Sequence, residues 1–273
     1  MGSITDFLEN ELLDHALNNA TYTAPTNIYL ALATADPTDA ATGASMNEVA
    51  NSGSYARTEI TVGVASSRRV TQDADVDFPQ ASGSWGTVTH WAITDSATHG
   101  AGNVLAHGAL GESKAIVSGN SPTVASGEVY VEFSAGEISN YLADELLDHV
   151  FNNAAFTSPT TTYVALCDAT VSDSSTGSTI SEPSGGSYAR EEVQPNGGSS
   201  PTWDLAASGV VDNGAAVTFT TATASWGTIV AVAIVDASSN GNLLFYDNTM
   251  GDQAVGTDDT AEFGAGDLDV VMT

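Results

Sequence analysis

A histidine beside a carboxylate is a candidate general base or metal ligand, and this chain carries the pair twice, as Asp14-His15 and Asp148-His149. Both pairs close the same string, Glu-Leu-Leu-Asp-His, at 11–15 and 145–149. Neighbouring residues of a helix do not face each other, so neither pair is a ready dyad. The expected arrangement is a histidine packed against a sheet and hydrogen-bonded locally. Arg57 and Arg190 are two of only five basic residues, and each ends a repeated Gly-Ser-Tyr-Ala-Arg. A rare arginine kept twice is expected to tie strand to helix through a bidentate carboxylate bond, with Asp14 and Asp148 as the expected partners. Capture of an acidic ligand is the functional alternative. Trp85 and Trp226 stand in repeated Ser-Trp-Gly-Thr strings. They read as buried turn anchors, or else as a sugar platform.

Asp95 and Asp236 precede Ser- and Gly-rich turns to Gly102-Asn103 and Gly241-Asn242, which is hairpin chemistry. The acidic stretches Asp73–Asp77 and Asp258-Asp259 lack the spacing of an EF-hand loop and read as solvated surface. The chain carries no nucleophile elbow, phosphate loop, dinucleotide fingerprint or zinc signature. The expectation is no catalytic residue, no metal and no cofactor.

These motifs recur in one order, which makes the chain one domain duplicated in tandem, 1–136 and 137–273. Glu132, Phe133, Ala135 and Gly136 read as returning in Glu262, Phe263, Ala265 and Gly266. A residue kept in both copies is expected to serve the fold, and a residue present in one copy to do something local. His90, Trp91, His99 and His107 belong to the first copy alone, facing apolar counterparts around Ala231 and Val232. The first copy is therefore expected to present a polar or aromatic patch where the second is covered. Arg68-Arg69 is the only basic pair. It reads as part of a loop that the second copy lacks, either docking on an acidic neighbour or lying exposed. Arg68, Arg69, His90 and Trp91 form the expected interface set.

The elements that must position these residues are one helix and several short strands per copy. Thr5 or Ser3 is placed to cap the first helix. Phe7, Leu8, Leu12, Leu13, Ala16 and Leu17 form one helical stripe, matched by Leu142, Leu146, Leu147, Val150 and Phe151. Asn18-Asn19 and Asn152-Asn153 end the two helices. Strands are expected at 28–33, 55–62, 76–78, 87–94, 104–107, 129–133 and 163–167. Short strands with Gly-rich turns and no βαβ rhythm predict a mainly β chain: two antiparallel sandwich or barrel-like domains, each with one N-terminal helix. The joint near Gly136–Tyr141 is short, so the halves are expected to sit side by side in a set orientation.

Thirty-four Asp and Glu against five Lys and Arg give a net charge of −29, yet 42% of residues are apolar. The apolar content separates the chain from disordered acidic segments. Such a surface repels itself in dilute buffer, whereas at molar salt the Debye length is only about 3 Å. A single lysine, Lys114, with abundant Asp is the composition expected of a halophilic protein. The charge also argues against nucleic acid and anionic membranes as partners, since both are met by Lys and Arg. Cys167 is the lone cysteine. The N-terminal stretch has neither a basic segment nor an apolar core, and so is not expected to be a signal peptide.

The ordered motif set resembles a family of small virion proteins of tailed phages, commonly labelled tail-fibre or virion structural proteins. It stands at Leu12–His15, Thr23–Leu32, Gly53–Arg57, Ser84–Thr87, Ala92–Asp95, Gly102–Leu105 and Phe133–Gly136. It stands again at Leu146–His149, Thr157–Leu166, Gly186–Arg190, Ser225–Thr228, Ala233–Asp236, Gly241–Leu244 and Phe263–Gly266. The resemblance implies no enzyme activity and no catalytic residues. With the composition, it suggests a tailed virus of haloarchaea. The protein is then expected on the virion exterior after synthesis in the host cytoplasm, as a capsid decoration or turret subunit or a tail-associated fibre component. Its expected partners are itself, as a trimer or higher oligomer with six domains about a local six-fold position, and capsid or tail subunits. The alternative is an adhesin that engages the host surface or its glycans, and exposed aromatics in a shallow groove would favour it.

Overall fold

The computed structural model describes residues 2–272. Copy one contains β1 (Gly2–Ile4), α1 (Asp6–Leu17), β2 (Ile28–Ala33), β3 (Thr58–Ile60), β4 (Arg69–Thr71), β5 (Val76–Asp77), β6 (Gly86–Thr94), β7 (Val104–Ile116), β8 (Thr123–Val124) and β9 (Tyr130–Glu132). Copy two contains α2 (Asn140–Asn152), β10 (Thr162–Cys167), β11 (Glu191–Val193), β12 (Val210–Asp212), β13 (Val217–Thr218), β14 (Gly227–Ile229), β15 (Ala231–Val235), β16 (Leu243–Asp247), β17 (Gln253–Val255), β18 (Glu262–Phe263) and β19 (Asp269–Val271). The chain is mainly β, with one helix per copy, as the residue pattern predicts.

The helical stripes do what their spacing requires. Leu8, Leu12, Leu13, Ala16 and Leu17 of α1 are buried, and so are Leu142, Leu146, Leu147, Val150 and Phe151 of α2. Ser139 caps α2 by accepting the Leu142 N–H at 3.1 Å, and its hydroxyl donates to the Leu243 carbonyl at 2.5 Å. Thr5 stands at the same place before α1, but its hydroxyl makes no cap and donates instead to the Val104 carbonyl. Anchoring the helix to the sheet has taken precedence over capping there.

In copy one the sheet runs β3-β2-β6-β7-β1-β9-β4 and curls into a half-barrel. Its pairs are antiparallel except β1 with β9. Copy two keeps β11-β10-β15-β16 as a sheet and β12-β19, β13-β18 and β14-β17 as separate pairs. Strand β2 and its counterpart β10 are almost wholly buried because both faces are covered. Leu30 and Leu32 face the main core, whereas Ala31 packs with Ala41 and Met46 of the loop that folds back outside. Ala165 and Cys167 of β10 meet Val171 and partly buried Ile180 in the same way. One main apolar core spans both copies and takes residues from both helices.

The pairing corrects one sequence equivalence. Val70 pairs with Val131 in copy one, and Val211 with Val270 in copy two. The counterpart of Phe133 is therefore Met272, and each donates its backbone N–H at 2.9 Å to the carbonyl at the same loop position, Arg68 or Gly209. Phe263 instead pairs with Val217, where copy one pairs Val124 with Val76. The shared Glu-Phe-x-Ala-Gly string falls at two different places because local composition, not strand register, made it match.

Candidate functional site: the repeated clamps and the joint between the copies

The two rare arginines do not reach the helices. Arg57 binds Glu48 with two bonds of 2.8 Å from Nε and Nη2. It also donates to the Ser96 and Ala101 carbonyls at 2.8 Å. Arg190 repeats the arrangement on Glu182, with Nη2 at 2.7 Å, and on the Ala237 and Asn240 carbonyls at 2.8 Å. Asp14 and Asp148 are thus corrected as partners. Each clamp is completed by a tyrosine: the Tyr55 hydroxyl donates to Glu48 at 3.0 Å and the Tyr188 hydroxyl to Glu182 at 2.8 Å. Those hydroxyls accept the Leu32 and Leu166 N–H groups at 2.9 Å. Burial and the adjacent carboxylate hold both phenols well above the usual tyrosine range. The sequence did carry a signal for this, a glutamate nine residues before Arg57 and eight before Arg190. No repeated string marks Glu48 and Glu182, because their flanking residues differ.

Asp14 and Asp148 join the copies instead. Asp14 accepts the Ala206 N–H at 2.8 Å, and Asp148 accepts the Ala65 N–H at 2.8 Å. Asn18 donates to the Asp204 carbonyl at 2.8 Å, and Asn152 to the Gly63 carbonyl at 3.0 Å. Each helix therefore grips a hairpin loop of the other copy. Contacts in which residue i meets j while the counterpart of j meets that of i define an approximate two-fold. His15 and His149 stack across it, with ring centroids 5.0 Å apart.

Neither histidine faces its neighbouring aspartate. His15 Nδ1 lies 2.6 Å from the Ala20 carbonyl, and His149 Nδ1 2.6 Å from the Ala154 carbonyl. A carbonyl only accepts, so Nδ1 carries a hydrogen in each. Ser158 Oγ lies 2.7 Å from His15 Nδ1, but a nitrogen already protonated toward Ala20 cannot take the serine proton. The pair is buried and not arranged for proton abstraction. Burial holds the His15 pKa below the usual histidine value, with the His149 charge acting the same way.

Arg68 sits in the hairpin loop that α2 grips. Copy two has this loop too, with Ser208-Gly209 where copy one has Ser67-Arg68, and both positions share a positive φ. The loop is thus present in both copies, a correction to its expected absence. Arg68 reaches Asp173 and the Asn140 side chain of copy two, each at 2.5 Å, and its N–H meets Asp144 at 2.7 Å. Gly209 donates to Asn10 at 2.9 Å. A side chain at Gly209 would strike Glu9, whose counterpart on α2 is Ala143. The two joints thus trade large and small residues: arginine opposite a small helix residue, glycine opposite a glutamate. Replacing Arg68 with methionine is expected to cost about 1–3 kcal/mol through its charge-assisted bonds, read as a lower denaturation midpoint.

Glu9 is the one carboxylate buried in that joint, and burial, aided by Asp6 and Asp39, raises its pKa from 4.5 to about 7. A raised acid pKa means that the folded chain holds its proton to higher pH than the unfolded chain. Stability is then lost as pH climbs from about 4.5 to about 7. Glu9→Gln is expected to melt higher than the parent at pH 8 and to converge with it near pH 4. Equal melting at both pH values would remove Glu9 from the account.

The remaining candidates fall mostly inside the fold. Trp85 and Trp226 are 4% and 5% exposed. Their indole N–H groups donate to the Gly53 and Gly186 carbonyls at 2.8 and 2.9 Å. Asp95 takes the Asn103 N–H at 2.7 Å and its side-chain amide at 2.8 Å, and Asp236 does the same with Asn242. Gly102 and Gly241 must be glycines, because φ is +76° and +77° and a Cβ would strike these aspartates. Trp91 is buried, His107 is buried against Asp39 at 2.9 Å, and His90 bonds Thr89 at 2.8 Å. The polar or aromatic patch expected on copy one is corrected at Trp91 and His107, which are buried, whereas His90 is half-buried. Arg69 lies over the Tyr130 ring at 3.5 Å. Burial pushes the Cys167 thiol up to about 12. Among the described residues, no three His, Cys, Asp or Glu gather as metal ligands.

A family model described as podophage GP4 fiber I protein gp80 matches residues 3–132 and again 137–271. The chain belongs to this Gp80 family. The two matches are the two tandem domains, and together they take in nearly all of the chain. No curated protein matches it. Among the described residues, no helix is long and apolar enough to cross a membrane.

Both Gp80 units keep the Arg–Glu–Tyr clamp, the turn tryptophan and the Asp-to-Asn hairpin. They part at Trp91 and Val232, which share one register position opposite Leu32 and Leu166, and at Arg68 and Gly209.

Proposed function

We propose that this chain is a non-enzymatic structural protein on the exterior of a tailed virus of a halophilic archaeon, either a capsid decoration or turret subunit or a tail-associated fibre component. The observation that carries it is the double match to a podophage fibre family. The clamps and the joint support the same reading, since their rare polar groups are spent on holding loops and copies together. The net charge of −29 supports the halophilic host. We place the division between the domains at 136/137, just ahead of the second family match.

The chain assembles with itself, as a trimer or a larger multiple, and with capsid or tail subunits. A trimer of the duplicated chain supplies six similar domains about a local six-fold position. Burial of Trp85 and Trp226 leaves no indole platform at those turns for a glycan-binding adhesin.

Light scattering at molar salt is expected to show a trimer or larger multiple, and immunogold labelling of intact particles to decorate their outside. A strict monomer that never attaches to particles would reject the reading. Melting that ignores salt across the molar range would reject its halophilic part.

A further inference from the structure

In copy one, β1 fills a slot between two strands. Gly2, Ser3 and Ile4 pair with Gly108, His107 and Ala106 of β7, and Gly2 also pairs with Val131 of β9. Trp91 lies beneath, so close that a Cβ on Gly2 would overlap its indole. Copy two lacks both the strand and the indole. Its chain reaches the corresponding place directly from copy one. There it touches the sheet through the Ile138–Phe245 bridge and the Tyr246 N–H bond to the Glu137 carbonyl at 2.8 Å. Among the described residues, strand β19 pairs with β12 alone, where β9 also pairs with β1. Val232 stands in place of Trp91.

The result is an open groove of about 270 Å³ between β16 and β19. Val232, Phe245, Phe263 and Val270 give it an apolar floor, and Glu137, Asp247, Asp267 and Asp269 stand around it with no basic residue in the lining. Val271 on the free strand is 36% exposed. An edge strand with unpaired backbone groups beside an apolar pocket is the usual setting for strand addition.

We propose that this groove receives an extended segment of a different protein, which adds as a strand to β19, sets a large apolar side chain over Val232, and carries Lys or Arg on either side. Copy one supplies the template, since the same slot there holds an extended strand over a large indole. The four carboxylates select the charge. A second copy of this chain fits poorly: it carries 34 acidic residues against five basic ones, and its own β1 is already seated.

The test uses the full chain and the acetylated, amidated peptide Lys-Val-Lys-Trp-Lys-Val-Lys, with a Glu-for-Lys version as control. Titration should show saturable binding of the lysine peptide and at least about tenfold weaker binding of the glutamate peptide. Amide exchange at Val271, whose N–H points away from β12, should slow in the complex. Val232→Trp fills the groove and should weaken binding at least about tenfold with melting unchanged or raised. Should that variant fold badly, Asp247→Lys with Asp269→Lys should reverse the preference between the peptides. No binding, equal binding of both peptides, or binding without slowed exchange at β19 overturns the proposal. So does concentration-dependent self-association that Val232→Trp abolishes while neither peptide binds, which would assign the groove to a second copy. Peptide binding is read on the purified chain, so its outcome stands apart from where the chain sits on a particle.

Discussion

Arg57→Met is expected to destabilise the chain by about 3–5 kcal/mol, measured by denaturant unfolding at fixed salt. The Arg57 side chain is fully buried and Glu48 is 4% exposed. Removing the guanidinium strands a buried carboxylate and leaves the Ser96, Ala101 and Gly43 carbonyls without its donors. Arg190→Met should cost less, because Glu182 is 19% exposed and water can take over part of its solvation. Pairing Arg57→Met with Glu48→Met should recover part of the loss, since a matched apolar pair removes the stranded charge. Recovery is incomplete because Tyr55 and the loop carbonyls still lose their partners. A loss below about 1 kcal/mol in the single variant would show that the clamp is ornamental.

Trp91→Val is expected to cost about 2–4 kcal/mol, somewhat less than a full truncation of a buried aromatic. It gives copy one the residue that copy two already has. Trp91 is 2% exposed and supports β1. The amides of Ser3 and Ile4 should therefore exchange faster, while those of β2, on the far side of β6, should change little. The reverse change in copy two, Val232→Trp, enters an open groove and should be neutral or stabilising. Equal and opposite costs would mean that the two slots are shaped alike, which the pairing of β1 argues against.

Much of the fold was legible in the residues. The stripes of α1 and α2 have a helical period that no strand could use, and both helices bury those leucines. The strand expected at 28–33 is β2, residue for residue. The strand expected at 104–107 runs on to Ile116, because its outer half is solvent-facing and carries no apolar signal. The arginine partners differ from expectation for a related reason. Bidentate geometry demands a carboxylate, but in a chain this acidic many lie within reach in sequence, and only the return of the loop toward β2 selects Glu48. His15 and His149 make the local bonds expected of them, to the Ala20 and Ala154 carbonyls. Their stacking on each other needs the relation between the copies, which no local string encodes.

The sequence alone determined that the chain is two related, mainly β units with one helix each, because duplication and period are written in consecutive residues. It also determined an acidic surface whose self-repulsion any assembly must manage. The tertiary structure decided which carboxylates meet the rare arginines, that each helix grips the opposite copy, and that the second sheet stays open where the first is closed. Those outcomes depend on contacts between residues tens to hundreds of positions apart. Such contacts are selected by the total packing and solvation energy of the folded chain, which no local pattern records.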